Sequence, residues 1–493
     1  MITFSIIQKS QLGGARRLDA EYYQPEYLEV HKKLDSLSTE VILDKMTLAN
    51  SYFMNKWPDP TVEIVTDKTR PSNIWTRATY YEGLMALYEI DSRDAYYNYA
   101  VQWGEGHNWE PAYGGTSTRN ADNQCCGQTY IELYQIDPQP ERIEKIKTTI
   151  DNMVNSTKND DWWWIDALQM AMPIFAKLGV IYQDDKYFNK MYDLYNFTKI
   201  QHGTNGLYNT VDHLWWRDEN FDPPYTAPNG EDTYWSRGNG WVLAALARVL
   251  DVMPKYAPHR DEYVTTFKEM AEALIAVQRE DGFWNVSLHD PNDYGGKETS
   301  GTAFFTFGLA WGVNNSLLTA EQYKNAAVKA WNGIVTDALH PNGFLGYVQS
   351  TAKQPSDGQP VTYDKAPNFE DYGLGAFLLA GSEIYRLAGR ITSVLVDKTI
   401  GMNVLPIVAE LHPAFPNPFN PQTTINYTIH INGHVQLSVY DLRGNEINTL
   451  VNQSQNSGEY SVLFDASNLA SGMYIYRLKV GSFEQSRRII LIQ

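Results

Sequence analysis

Six segments of the chain share one pattern, in which polar and aromatic residues lead directly into apolar residues at i, i+3 and i+4 spacing. This pattern predicts six largely apolar, buried helices, and the small residues in the segments allow those helices to pack closely. The segments begin at Trp75, Asp122, Trp162, Trp235, Glu298 and Asp371.

More strongly charged amphipathic stretches alternate with these segments and predict outer helices, each with one solvent-exposed face. The short motifs Asn205-Gly-Leu-Tyr, Asp281-Gly-Phe-Trp and Asn342-Gly-Phe-Leu recur between them, which indicates a repeated helical hairpin. We therefore predict a mainly α fold, an (α/α)6 toroid or barrel, in which the N-terminal ends of the inner helices surround one funnel. The outer stretches are residues 27–57, 139–156, 184–200, 262–280 and 319–338.

The helical pattern stops near residue 388, and a Pro- and Asn-rich stretch after Pro406 leads into segments of alternating polarity. The predicted strands are Thr423–His430, Val435–Asp441 and Met473–Val480. They predict a small C-terminal β-sandwich (Ig-like) domain. The expected domains are an atypical N-terminal segment at 1–38, a catalytic domain at 39–390, a linker at 391–410 and the β-sandwich at 411–493.

The sequence predicts neither a transmembrane segment nor a signal peptide. No run approaches the roughly 20 apolar residues of a membrane span. The N-terminus lacks a basic region followed by an apolar region and a cleavage site, so no signal peptide is predicted.

The formal net charge of −18 argues against binding to nucleic acid or to an anionic membrane surface. The 14 Trp and 33 Tyr residues include many in loop-like stretches, where flat rings stack on sugars, although such residues also fill cores. Cys125 and Cys126 are adjacent and form neither a disulfide framework nor a metal site, so we expect buried packing residues. No nucleotide, zinc or nucleophile-elbow motif occurs, and we predict neither a cofactor nor a metal.

Asp122 and Asp166 stand where two consecutive inner helices begin, so each could face the funnel. Asp at such a position also serves as a helix N-cap, which is the plainer interpretation. Asp166, however, follows three tryptophans, and a carboxyl among indole rings is poorly solvated. We expect this to raise its pKa into the range of a general acid.

Arg237 lies in Trp235-Ser-Arg-Gly-Asn-Gly-Trp241, where its planar donors suit a carboxylate ligand; the alternative is a structural salt bridge. His213 is a second candidate donor beside aromatic residues, or a histidine that is merely satisfied in the core.

The residues Trp75, Asp122-Asn, Gly127-Gln, Trp164-Ile-Asp166, His213, Arg237-Gly-Asn-Gly-Trp241 and Glu298-Thr-Ser300 together resemble glycoside hydrolase families 88 and 105, over roughly residues 40–390. Family 105, the unsaturated rhamnogalacturonyl hydrolases, fits better than family 88, the unsaturated glucuronyl hydrolases. The resemblance implies that the enzyme hydrates the C4=C5 double bond that a polysaccharide lyase leaves on a non-reducing-end uronic acid. Its partner would be an unsaturated oligosaccharide.

The resemblance also implies roles for individual residues. Asp166 would donate the proton to C4 and activate the water, while Asp122 would hold substrate hydroxyls and tune Asp166. The substrate-binding residues would be Trp75, Trp164, His213, Arg237, Trp241 and Ser300.

The C-terminal region resembles the sorting domain of the type IX secretion system, through Phe415-Pro-Asn-Pro-Phe-Asn-Pro, Val439-Tyr-Asp-Leu-Arg-Gly and Leu469-Ala-Ser-Gly-Met-Tyr. It implies contact with secretion machinery and a secreted, cell-surface or periplasmic protein; the alternative is a carbohydrate-binding β-module. For the helical domain three alternatives stay open: a conventional inverting glycosidase, a non-catalytic surface protein that binds oligosaccharides, and a polysaccharide lyase.

Overall fold

The computed structural model describes residues 37–66, 68–365, 371–399, 409–429, 432–441, 444–480 and 483–492. In chain order its helices are α1 (Thr39–Lys56), α2 (Trp75–Ile90), α3 (Asp94–Gly106), α4 (Ala121–Gln124), α5 (Gly127–Ile136), α6 (Glu141–Val154), α7 (Asp166–Tyr182), α8 (Asp185–Asn196), α9 (Ser236–Val252), α10 (Arg260–Ala276), α11 (Thr299–Asn314), α12 (Glu321–Gly333) and α13 (Asp371–Thr399).

These helices form the predicted ring. The inner helices are α2, α4 with its continuation α5, α7, α9, α11 and α13, and the outer helices are α1, α3, α6, α8, α10 and α12. The six inner helices and the outer stretches are confirmed, apart from residues 27–36, which lie outside the described residues.

Burial separates the two sets in the way that the sequence pattern predicts. Every residue of α7 from Asp166 to Val180 is buried, because its apolar residues extend around the whole helix. On α8 the buried residues lie on one face only, and charged residues cover the other. Cys125 and Cys126 are buried without a disulfide, as expected.

The ring closes where α13 packs on α2. A Cβ atom added at Gly375 would lie 2.2 Å from the carbonyl oxygen of Thr79, and one added at Gly83 would lie 2.4 Å from the carbonyl oxygen of Gly375. Only glycine permits this approach of the two backbones. Above this contact, Arg77 Nε donates to Asp371 Oδ2 at 2.8 Å, and both side chains are almost fully buried.

The C-terminal domain is the predicted β-sandwich. A three-stranded sheet has the order β3-β4-β7 and a four-stranded sheet the order β6-β5-β8-β9, with all neighbours antiparallel. Alternate residues of the strands, such as Tyr427, Leu437 and Tyr476, form a buried core of their own. After the small hairpin β1 (Ile64–Val65) and β2 (Thr69–Arg70), the strands are β3 (Ala409–Leu411), β4 (Gln422–Ile429), β5 (Gly433–Tyr440), β6 (Glu446–Gln455), β7 (Gly458–Asp465), β8 (Gly472–Val480) and β9 (Phe483–Leu491).

The predicted linker begins later than expected. Helix α13 continues to Thr399, beyond the predicted end of the helical pattern near residue 388. No Gly or Pro follows Gly389 until Gly401, so nothing in the backbone chemistry stops the helix earlier. Among the helices of the described residues, none combines the length and the apolar character needed to cross a bilayer. The atypical N-terminal segment lies almost entirely outside the described residues.

We predict that Gly375→Ala destabilises the ring by more than about 2 kcal/mol, because the added methyl group forces two packed helices apart. Gly389→Ala on the same helix is the matched control: a Cβ there would meet its nearest atom, Cγ2 of Thr39, at 3.9 Å. Urea unfolding followed by the helical circular dichroism signal compares the two. Equal stability of the two variants would contradict this view of the closure.

Candidate active site

Neither candidate carboxylate is used as a helix cap. Asn120 caps α4, since its side-chain oxygen accepts from the backbone N–H of Asp122 at 2.9 Å and of Asn123 at 3.4 Å. Asp166 is the first residue of α7, and Ile165 stands at the N-cap position without a side-chain hydrogen bond. The plainer interpretation of both aspartates therefore does not hold, and their carboxyl groups remain available for chemistry.

Asp166 is buried beside a cation, with one oxygen left free. Its Oδ2 accepts from Arg217 Nη2 at 3.4 Å, while its Oδ1 has no hydrogen-bond partner among the described residues. Burial raises the pKa of Asp166, and the positive charges of Arg217 and Arg237 lower it in part. The net direction is upward, as the sequence predicted.

Asp122 shares this environment. Burial and the neighbouring Asp166 carboxyl raise the pKa of Asp122 to about 7, and Arg217 opposes the increase. The negative charge of an ionised Asp166 therefore disfavours ionisation of Asp122.

Arg217 is the residue that sequence reasoning missed. It follows Trp215-Trp216 in the loop before α9, and its Nη1 also donates to Asp218. The side chain is only 9% exposed. The available signal was a basic residue directly after two aromatic residues, four positions beyond His213.

The carboxyl pair lies in a cavity of about 290 Å³. Trp75 and Trp164 form aromatic walls, and a loop opposite them supplies a second cation, Lys353. The full lining is Trp75, Asp122, Trp164, Asp166, Met170, Arg217, Thr351, Ala352, Lys353 and Asp357. Among the described residues, no three His, Cys, Asp or Glu side chains are grouped to hold a metal ion.

Arg237 and Ser300 lie behind this cavity and hold its loop. Arg237 donates to the carbonyl oxygens of Gln349 and Ser350, each at 2.7 Å, and to Ser300 Oγ at 3.3 Å. Its guanidinium lies over the rings of Trp235 and Tyr372, 4.7 and 4.9 Å from their centroids. Because Thr351 to Lys353 follow directly, Arg237 positions the cavity lining.

Trp241 and His213 are also outside the lining. Trp241 is 1% exposed and meets Trp75 edge to face, with centroids 6.0 Å apart, so it supports the aromatic wall from behind. His213 lies with Tyr208 and with Glu269 of the outer helix α10, its Nδ1 3.6 Å from Glu269 Oε2.

A buried polar network joins the segments that carry the two aspartates. Glu82 Oε1 accepts from Gln128 Nε2 at 2.9 Å and from Cys125 Sγ at 3.4 Å, and its Oε2 accepts from Gln169 Nε2 at 2.7 Å. Cys125 lies one turn after Asp122, and Gln169 one turn after Asp166. Burial raises the pKa of Glu82 to about 7.

Two family models match the chain, one in the helical domain and one in the β-sandwich. A family model described as Glycosyl Hydrolase Family 88 matches residues 45–388. A second model, described as a secretion system C-terminal sorting domain, matches residues 413–493.

Relatives and solved structures resemble the helical domain. A curated relative from Formosa agariphila, named unsaturated 3S-rhamnoglycuronyl hydrolase, is 34% identical over 333 residues, which are 64% of this chain and 84% of the relative. A solved glycosyl hydrolase family 88 structure from Bacteroides vulgatus is 33% identical with a TM-score of 0.65, and the match covers 71% of this chain and 99% of that chain. A structure named as a polysaccharide lyase is 31% identical with a TM-score of 0.64, covering 74% of this chain and 99% of that chain.

We predict that Glu82→Gln changes how stability depends on pH. The folded-state pKa of about 7 lies above the ordinary value of 4.5, so the stability that the protonated carboxyl contributes is fully present below pH 4.5 and is lost as the pH rises toward 7. Gln cannot ionise. Between pH 4.5 and 7.5, the free energy of unfolding of the variant should therefore increase relative to that of the wild type by on the order of 3 kcal/mol.

Urea unfolding at both pH values measures this difference. Glu105→Gln, at an exposed position of α3, is the matched control for removal of one carboxylate. A stability difference between wild type and Glu82→Gln that is the same at both pH values would contradict the assignment.

Proposed function

The chain belongs to glycosyl hydrolase family 88, and from this premise we propose that it removes the non-reducing-end 4,5-unsaturated uronic acid from oligosaccharides that a lyase has generated. The bond broken first is the C4=C5 π bond rather than the glycosidic bond. The observation that carries the proposal is the buried Asp166 carboxyl, whose Oδ1 has no partner among the described residues while Arg217 holds Oδ2.

Protonated Asp166 donates its proton to C4 of the enol ether. Positive charge then develops at C5, where the ring oxygen stabilises it. Arg217 favours this step because it stabilises the carboxylate that Asp166 becomes.

Asp166, now a carboxylate, accepts a proton from the water that adds to C5. The product is a hemiketal, which opens to a ketone and leaves a hemiacetal at C1. That hemiacetal releases the shortened sugar with its glycosidic oxygen. Asp122, with its pKa raised to about 7, holds substrate hydroxyls and keeps a proton within the pair.

Arg217 and Lys353 are the cations that line the cavity, and we assign the substrate carboxylate to this pair. Trp75 and Trp164 enclose the flat unsaturated ring. Arg237, Ser300 and Trp241 act by holding the loop and the aromatic wall, rather than by touching the substrate in this arrangement. A direct role for His213 remains a prediction, since the residue is not part of the lining.

The name of a curated relative supports a choice of substrate class. The Formosa relative is named for a 3S-rhamnoglycuronyl substrate. We propose an unsaturated rhamnoglycuronyl fragment as the substrate of this chain as well.

The C-terminal sorting domain indicates a secreted or cell-surface protein and implies a secretion machinery as its partner. A periplasmic location is the narrower part of this proposal.

One similar structure is named as a polysaccharide lyase, which makes that activity the second candidate. A lyase creates the unsaturated uronide, whereas the hydrolase proposed here destroys it. The ultraviolet absorbance of the conjugated double bond therefore moves in opposite directions for the two reactions.

We predict that the wild type removes the absorbance of lyase-generated rhamnoglycuronyl disaccharides and that Asp166→Asn lowers the rate by at least about a hundredfold, the usual contribution of a general acid. Asp122→Asn should lower the rate less, because the donor remains. Asp160→Asn is the control, an exposed aspartate in the same loop. An absorbance that rises would identify a lyase. No change with disaccharides, together with glycosidic cleavage of saturated substrates, would identify a conventional glycosidase.

The charge of Arg217 should set the pH range of activity. Arg217 lowers the pKa of both Asp122 and Asp166, so Arg217→Gln should raise both and keep the acid protonated to higher pH. The alkaline limb of kcat/KM should then move upward by on the order of one pH unit. Arg217→Lys, which keeps the charge, should leave the limb close to that of the wild type. If the alkaline limb of Arg217→Gln stays in place or moves to lower pH, Arg217 does not set the pKa of the catalytic acid.

A further inference from the structure

Trp163 is the only exposed tryptophan of the 14 in the chain, all of which lie in the part that the structure describes. Its exposed fraction is 45%; Trp57 and Trp75 are partly buried, and the other tryptophans are buried. Burial of a large apolar side chain stabilises a fold by about 2 kcal/mol, so this ring contributes less to folding than the others do. An exposed tryptophan beside a cavity is typical of a binding site.

Trp163 is exposed between two buried tryptophans. Residues 162–164 form no regular helix or strand and lead into α7, which begins at Asp166. Trp162 is fully buried against Phe175 and its carbonyl oxygen accepts from Thr198 Oγ1, while Trp164 is 3% exposed and lines the cavity. The exposed ring is thus fixed between two anchored neighbours.

The ring lies close to the catalytic carboxyl. The guanidinium of Arg217 is 6.0 Å from the centroid of Trp163 and also contacts Asp166, with Nη2 3.4 Å from Oδ2. The ring centroids of Trp163 and Trp164 are 4.6 Å apart. Trp163 therefore extends the aromatic wall of the cavity toward solvent on the side of Asp166.

The cavity that contains the carboxyl pair is small. At about 290 Å³ it lies at the lower end of small-molecule pockets, which span roughly 300–1,000 Å³. Asp122, Asp166 and Arg217 line this volume, so the unsaturated ring must occupy it. With the unsaturated ring in the cavity, the sugar joined to it extends toward the rim, where Trp163 is exposed.

We propose that Trp163 is a binding platform for the sugar on the leaving-group side of the scissile linkage. The apolar face of that pyranose packs on the exposed indole ring, next to Arg217. This inference rests on the proposed function, because it takes the unsaturated uronide to fill the cavity. It assigns to Trp163 the recognition of the leaving sugar and no part in proton transfer.

The test compares two substrates that share the unsaturated uronate. One is the lyase-generated disaccharide, and the other is the methyl glycoside of the same unsaturated uronate, which has no leaving sugar. The variants are Trp163→Ala, Trp163→Gln and Trp163→Phe. Tyr182→Ala is the matched control, an aromatic residue that is 39% exposed at the C-terminal end of α7, about 24 Å along the helix axis from Asp166.

We expect Trp163→Ala and Trp163→Gln to lower kcat/KM about tenfold on the disaccharide, the usual cost of truncating a tryptophan in a binding site, mainly through KM. On the methyl glycoside both should equal the wild type. Trp163→Phe should keep most of the activity, and Tyr182→Ala all of it, on both substrates. If Trp163→Ala folds poorly by circular dichroism, the comparison rests on the Gln and Phe variants.

Other outcomes overturn the inference. Equal losses on both substrates, with a shifted pH profile, would mean that Trp163 acts only by holding Arg217. Unchanged kinetics on both would assign the ring to another contact, such as a second copy of this chain. If the wild type consumes neither substrate, the proposed function fails. If the wild type consumes both and Trp163→Ala affects the disaccharide no more than the methyl glycoside, only the role of Trp163 as a platform is rejected.

Discussion

The contact between the first and last inner helices determines the shape of the whole site. Gly83 and Gly375 allow α2 and α13 to touch backbone to backbone, and the buried Arg77–Asp371 pair holds the ends of these helices together. This closure stacks Tyr372 on Trp75, with the two ring centroids 5.5 Å apart. The Tyr372 hydroxyl donates to the carbonyl oxygen of Gln349 at 2.6 Å, where Arg237 also donates. The aromatic wall and the loop opposite it are thus both positioned by the closed ring.

Inside this ring, desolvation makes the carboxyl pair chemically useful. An aspartate in water is ionised at neutral pH and cannot donate a proton. Burial raises the pKa of both Asp122 and Asp166, and Arg217 limits the increase so that the proton can still leave. The Glu82 network lies behind the segments that carry both residues, and it links Cys125 and Gln128 to Gln169. Burial therefore favours the protonated form of both carboxyl groups, and the Glu82 network joins the helical segments that carry them.

The sequence predicted the ring well, because each inner helix is apolar around most of its surface and begins at a recognisable polar cluster. It also pointed to both carboxyl groups, since three tryptophans before Asp166 imply poor solvation; the structure places the two in one cavity, and their catalytic roles stay a prediction. It could not assign Arg217, whose contact with Asp166 joins residues far apart in the chain through a loop without periodicity. His213, four positions earlier, was a candidate donor because of its residue type, but it lies beside the outer helix α10. Arg237 is in the first turn of α9, yet its partners are carbonyl oxygens more than a hundred residues later, a tertiary contact that no local pattern shows.

In the proposed mechanism, a proton from the carboxyl pair reaches C4 before the glycosidic bond breaks. The most direct measurement is the reaction in deuterium oxide, followed by nuclear magnetic resonance from the earliest times. We expect the double bond to disappear as a single deuterium enters one face of C4, with release of the shortened sugar at the same time or later. An early product that is already separated from the sugar but still contains the C4=C5 double bond would contradict it.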